Sequence, residues 1–201
     1  MAVGDVSTFD RFARLYDAVM PAAKRSKLRA ALARAKRPVE RVVDVGGGPG
    51  RAVRAIDADC RVVVDPARGM LVRARTHDIE AVRADGSRLP IRTASVDAVV
   101  VSDALHHIAD QRGVLQEAKR VVRPGGVLVI REFDPTTLRG RALVVAEQLW
   151  GFDSTFYSPT ALRAEIEAVG LDGQIVDRGF DYTVVGVARQ ENGNSKAEEF
   201  E

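Results

Sequence analysis

The feature that most constrains the fold is an alternation. Between Val39 and Arg189, valine-rich runs at residues 42–45, 61–64, 80–83, 97–101 and 127–130 take turns with helical stretches at 51–56, 67–75 and 111–122. Strands covered on both faces read as short, near-continuous β-branched runs rather than as alternating ones. Helices between such runs make parallel crossovers, so the pattern predicts a doubly wound α/β sheet.

Further along, Ser158-Pro159 opens a helix that runs through Thr160 to a glycine stop at Gly170. Strand candidates follow at 173–178 and 182–188. The few residues between them allow only an antiparallel pairing. The expected fold class is therefore a Rossmann-like, seven-stranded, mostly parallel sheet with an antiparallel C-terminal strand and helices on both faces. The first forty residues read as helical, with Phe9, Phe12 and Tyr16 spaced for one face. Residues 191–201 are polar and unpatterned, and the expectation for them is disorder. No internal repeat is found. A chain of 201 residues with 46 % apolar content can bury one full core. The expected organisation is one domain over 1–190, with a helical lid at 1–38, a cofactor-binding half at 39–134, and a substrate insert with the hairpin at 135–190.

Charge is balanced at a net +2, without the concentrated basic face of a nucleic-acid binder. The nearest approach, "KRSKLRAALARAKR" from Lys24, reads first as an Ala-rich helix with a solvated basic side and second as a phosphate contact. Cys60 is the single cysteine, which excludes a disulfide within the chain and a Cys-based metal site. No signal-peptide pattern is read at the start, and no apolar run reaches the roughly 20 residues that span a bilayer. The expectation is a cytoplasmic protein with a small-molecule substrate, no nucleic-acid partner and no stable membrane insertion.

The loop "DVGGGPG" carries the chemistry. Its glycines at 46, 47, 48 and 50 give G-x-G-x-G, and Arg51 stands where the dinucleotide fingerprint needs glycine or alanine. A P-loop is excluded because no Gly-Lys-Ser/Thr follows. Asp44, two residues ahead of Gly46, would repel a pyrophosphate on the loop; it suits a ligand cation such as an α-ammonium, or else it caps loop amides. Asp65 ends the second run, where a carboxylate accepts from ribose hydroxyls; its alternative is an Asp-Pro turn before the helix that Pro66 begins. Asp85, in "RADGSRLP", stands at the end of the third run, placed to accept from an adenine amino group.

Together "VVDVGGGPG", "VVVDP", "RADGSRLP", "SVDAVVVSDALHHI" and "AKRVVRPGGVLVIREF" resemble the class I S-adenosylmethionine-dependent methyltransferases, over about Phe9 to Arg189. Within that superfamily the resemblance is to the enzymes of ubiquinone and menaquinone biosynthesis. It implies S-adenosyl-L-methionine as cofactor, a phosphate-free cationic nucleoside. It also implies a cofactor-binding set of Tyr16, Asp44, Gly46, Gly48, Asp65, Pro66, Asp85, Gly86 and Ser102. Tyr16 enters because "FDRFARLYD" resembles a helix that closes over the cofactor. Departures from the quinone members stand at Pro49, where they usually have threonine, and at Arg131 and Asp134, where they have an aliphatic residue and a serine.

Methyl transfer needs an aligned nucleophile shielded from water, and a phenol or enol acceptor must also lose a proton. His107 and His106 follow the fourth run, at the carboxyl edge where open α/β sheets bind ligands, and are the candidate catalytic residues. Packing near the ligand is the alternative for either. The apolar residues of "LRGRALVVAEQLWGFDSTFY" suit a greasy acceptor pocket or the packing of a helical insert. Three rival functions remain: a methyltransferase acting on RNA or another macromolecule, a cofactor-binding protein without catalysis, and a nicotinamide oxidoreductase. The first lacks an Asp/Asn-Pro-Pro-aromatic after the fourth run; the third is disfavoured by Asp44 and the glycine spacing.

Overall fold

Valines dictate the sheet. In a computed structural model, which describes residues 25–190, all seven expected strands form: β1 Arg41–Val45, β2 Cys60–Asp65, β3 Glu80–Arg83, β4 Val96–Ser102, β5 Val122–Phe133, β6 Asp172–Asp177 and β7 Asp181–Val187. Phe9, Phe12, Tyr16 and the 191–201 tail lie outside the described residues. The helices are α1 Arg25–Leu32, α2 Arg51–Arg54, α3 Arg68–Arg75, α4 Gln111–Val121, α5 Leu138–Leu149 and α6 Pro159–Ala168.

Strand order is β3-β2-β1-β4-β5-β7-β6, with β7 antiparallel to both its neighbours and the five strands β1 to β5 parallel. The hairpin thus enters β7-first, leaving β6 at the edge. Between β1 and β4 the winding reverses direction. The carboxyl ends of these two strands splay a crevice, the usual ligand position in open α/β sheets.

Both faces of the sheet are buried, as the valine runs require. Val43, Val45, Val99, Val101, Leu128 and Ile130 meet α4 and α6 on one face. On the other, Val42, Ala98, Val100, Val127 and Val129 meet the residues of α1, α2 and α3. Neighbours along a strand alternate between the two cores, the period-2 geometry of a pleated strand. Burying each such side chain contributes roughly 1.5–3 kcal/mol.

Two expectations are refined. β5 begins at Val122, not 127, because Val122 already pairs with Val96 before the register jumps to Ala98 with Val127. The intervening Arg-Pro-Gly-Gly is a bulge. A Cβ on Gly126 would stand 2.6 Å from the Asp97 carbonyl oxygen, so the close strand approach there needs glycine. The basic segment from Lys24 is indeed helical over Arg25–Leu32, with Arg25, Arg29, Arg34 and Lys36 exposed on its solvated side and two of its charges paired within the molecule. Leu28 and Ala31 are buried, while Lys27 pairs with Asp181 at 2.9 Å and Arg37 with Asp97 at 2.9 Å. The reading as a helix with a solvated basic side therefore stands.

Candidate cofactor and acceptor site

Most of the expected residues converge on one edge. A cleft of about 550 Å³ at the switch point is lined by Asp44, Gly46, Gly48, Asp65, Ser102 and His107, among others. A second hollow of about 350 Å³ lies beside it and is bounded by Pro66, Asp85, Gly86 and Ile108. Gly46 borders both, so the site has two lobes joined at the first loop glycine. Two of the expected residues are not in this lining. Tyr16 is outside the described residues, and His106 is packed behind the cleft.

The loop geometry accounts for its glycines. Gly46 has φ +68°, and a Cβ there would come within 2.7 Å of the Ala104 Cβ. Gly86 would drive a Cβ to 2.6 Å from Val45 Cγ1. Both are close approaches of backbone that no larger residue allows.

The acids divide the work differently from the sequence expectation. Asp65, 2 % exposed, accepts from the Gly48 amide at 3.0 Å through Oδ2 and from the Ala67 amide at 2.8 Å through Oδ1. It therefore latches the glycine loop to the end of β2 while making the Asp-Pro turn. The capping of loop amides, the alternative reading of Asp44, finds no support, because neither carboxylate oxygen has a partner within ordinary hydrogen-bond geometry. Asp44 is fully buried with neither oxygen partnered, and a looser approach of the Val53 amide and the more distant charge of Arg51 offset this only in part. Burial first, and the negative charge of Asp65 second, push its pKa up to about 8. A buried carboxylate without donors is costly unless a cation completes it. Asp44 therefore has the chemistry that a ligand ammonium would complete.

Asp85 is exposed, and its Oδ1 accepts from the Ser87 amide and hydroxyl, both at 2.9 Å. The Ser87 amide chiefly holds its carboxyl below the usual range. It stays ionised at the rim of the second lobe. Ser102 is half-buried, and its Oγ donates to Asp103 at 3.4 Å.

Asp103 is a residue the sequence reading missed. It has φ +53°, a left-handed conformation unusual for a side-chain-bearing residue. Its carboxylate is clamped by Arg131 at 3.0 Å, and Arg131 reaches on to Asp181 at 2.8 Å. Burial raises the Asp103 pKa despite that guanidinium. The departure at Arg131 thus has a structural role, fixing a strained loop at the cleft.

The two histidines sit in a 3-10 turn, Leu105–His107, directly after β4. Glu132 at the end of β5 organises them. Its Oε1 accepts from the Leu105 amide at 2.8 Å, and its Oε2 pairs with His106 Nδ1 at 2.6 Å. Glu147 of α5 lies 3.6 Å from His106 Nε2. Burial alone would keep His106 neutral, but the Glu132 charge overturns this and lifts its pKa to about 10. Phe156 stacks on its ring at 4.4 Å. His107 is the opposite case. Burial, then the charge of His106, pulls its pKa down to about 4. Its Nδ1 is 3.2 Å from Ser154 Oγ, and Phe152 stands 5.3 Å from its ring. Gln111 ties this segment down by donating to the carbonyls of Leu105 and Thr155 at 3.0 and 2.7 Å.

The apolar stretch after β5 splits in two. Phe152 and Phe156 pack on the histidines, whereas Leu138, Leu149 and Trp150 are about four-fifths exposed. The latter three therefore do not line the cleft among the described residues.

With this geometry established, similarity to known proteins adds the class. Residues 43–130 match the family described as "Methyltransferase domain". The demethylmenaquinone methyltransferase of Mycobacterium sp. (strain KMS) is 38 % identical over 115 residues, 56 % of this chain and 50 % of that protein. That of Corynebacterium urealyticum is 36 % identical over 129 residues, covering 63 % and 54 %. The chain spans about half the length of these curated relatives. In three dimensions, a SAM-dependent methyltransferase from Thermotoga maritima superposes with TM-score 0.74 at 19 % identity, over 90 % of this chain and 98 % of that one. Residues 43–130 are thus similar to a methyltransferase domain, in a fold shared with S-adenosylmethionine-dependent methyltransferases, and S-adenosyl-L-methionine is the cofactor that this likeness implies.

Proposed function

We propose that the protein transfers a methyl group from S-adenosylmethionine to a small, apolar or aromatic acceptor such as a quinone precursor. The observation that carries this reading is Asp44, a buried, donor-less carboxylate at the root of a glycine loop that offers no lysine for phosphate. Bound there, S-adenosylmethionine supplies a methyl group activated by its sulfonium. Asp44 would hold the ammonium, Asp65 would accept from the ribose, and Asp85 with the Gly86 backbone would face the adenine in the second lobe. The likeness to demethylmenaquinone methyltransferases supports a reduced quinone as acceptor, and Phe152, packed against the ring of His107, adds apolar character beside the cleft-side histidine.

His107 is the cleft-side histidine and is neutral at pH 7, so it can receive a proton; with Nδ1 directed at Ser154, Nε2 is the atom to take the acceptor's hydroxyl proton. His106 is held by Glu132 as an imidazolium and serves as a fixed support. His107→Ala should lower turnover at least tenfold and change cofactor affinity less than threefold. Parallel loss of both would reduce His107 to packing. The activity itself is tested by incubating the protein with S-adenosylmethionine and a panel of short-chain demethylated naphthoquinols and phenols, with RNA as a separate arm. Turnover with RNA alone would overturn the small-molecule reading.

A further inference from the structure

Behind the cleft lies a cluster whose chemistry exceeds what methyl transfer needs. His106, His107 and Glu147 each offer a ligand atom, and these three atoms lie within 4.8 Å of one another. We propose that they form a binding site for a divalent first-row transition-metal ion, with zinc(II) the best match to two imidazoles and one carboxylate.

Three observations carry this. The first is spacing. Donors about 2.1 Å from a tetrahedral ion stand about 3.4 Å from one another. His106 Nε2 and Glu147 Oε1 are already 3.6 Å apart, and the ligand atom of His107 lies within 4.8 Å of both. The second is orientation. A metal-bound histidine usually passes its other ring N–H to a carboxylate, which fixes the tautomer. Glu132 does this to His106 at Nδ1, presenting Nε2 toward Glu147. Ser154 meets His107 at Nδ1 in the same manner. The third is an unmet demand. Glu147 Oε2 is buried with no hydrogen-bond partner. Two buried carboxylates, Glu132 and Glu147, flank the ring of His106, and a divalent ion would complete the unpartnered oxygen of Glu147.

Glu132 comes from the sheet and Gln111 from the helix beside it, so the supports are built on rigid elements. His107 belongs to both the cluster and the cleft. An ion here would therefore face the acceptor side of the site, where, with His107 Nε2 engaged as a ligand in place of its role as proton acceptor, it could hold an acceptor's hydroxyl as an oxyanion. That role deepens the methyl-transfer reading, but the binding claim stands apart from it.

The test uses the full chain, stripped with a chelator and titrated with cobalt(II) and then zinc(II). One ion per chain is expected, with visible cobalt bands of low coordination number and a rise in melting temperature reversed by chelator. Glu147→Gln and His107→Ala should each weaken binding at least tenfold, and Glu132→Gln by about 10- to 100-fold through His106. A Cys60→Ser, His77→Ala double variant, which removes the other soft ligands, should bind as the parent does. Absence of stoichiometric binding by the wild-type chain would overturn the proposal, as would an ion retained undiminished by Glu147→Gln and His107→Ala. Folding of the variants is checked by circular dichroism, and the wild-type titration decides without them. Because the readout is metal occupancy, it is separable from success or failure of the methyl-transfer assay.

Discussion

Asp44→Asn is expected to make the ligand-free protein more stable while weakening S-adenosylmethionine binding at least tenfold. Both effects follow from one buried carboxylate. Its pKa in the folded chain is about 8, against 3.8 for the ordinary side chain. A raised acid means the folded state keeps a proton that the unfolded chain releases. The stability contribution of Asp44 is therefore unimpaired below about pH 4, declines as pH rises to about 8, and is level above. Four units correspond to a ceiling of about 5 kcal/mol, and relaxation of the site reduces what is measured to about 2 kcal/mol. Asparagine carries no charge and escapes this penalty, so the variant's advantage in thermal or urea unfolding should widen from pH 4 to pH 8. Binding runs the other way. An ammonium stabilises the ionised carboxylate, so wild-type affinity should climb toward pH 8, with release of a proton visible as a buffer-dependent binding enthalpy. Beyond that the ligand's own α-amine, with pKa about 7.7–8.0, begins to lose its charge. A variant with unchanged affinity and a flat stability difference would mean that Asp44 meets no cation.

Asp65→Ala should cost at least tenfold in cofactor affinity, and more than Asp65→Asn. A charged acceptor to a ribose hydroxyl contributes roughly 1.5–3 kcal/mol, a factor of about 10 to 150. The same side chain also holds the Gly48 and Ala67 amides, so alanine releases the glycine loop as well as the ligand. Asparagine can still accept one of those bonds, while its amide group turns a donor toward the other. The discriminating measurement is hydrogen exchange of the loop amides beside calorimetry. Alanine should raise exchange at Gly48 and lose affinity together; full affinity with a loosened loop would assign Asp65 to architecture alone.

The site was legible in sequence to the extent that it rests on strand ends. Asp44, Asp65, Asp85 and Ser102 each stand at or just beyond the end of a valine run, and parallel strands bring such ends to one edge. The division between Asp44 and Asp65 was not legible. Either acid could have capped the loop, and only the folded chain shows that Asp65 reaches Gly48 while Asp44 is left without a donor. Nor could the sequence pick between the adjacent histidines. Their difference comes from Glu132, 26 residues on, and from Ser154, 47 residues from His107.

By itself, then, the order of β-branched runs and helical stretches determined a doubly wound sheet with its ligand edge, because strand period and crossover geometry are local properties of the chain. The tertiary structure alone decided strand order beyond β5, which apolar residues of the late insert are covered, and the protonation of the paired histidines. Those depend on burial and on charges brought from distant elements, and no local pattern encodes the dielectric surroundings that a side chain acquires when remote segments close around it.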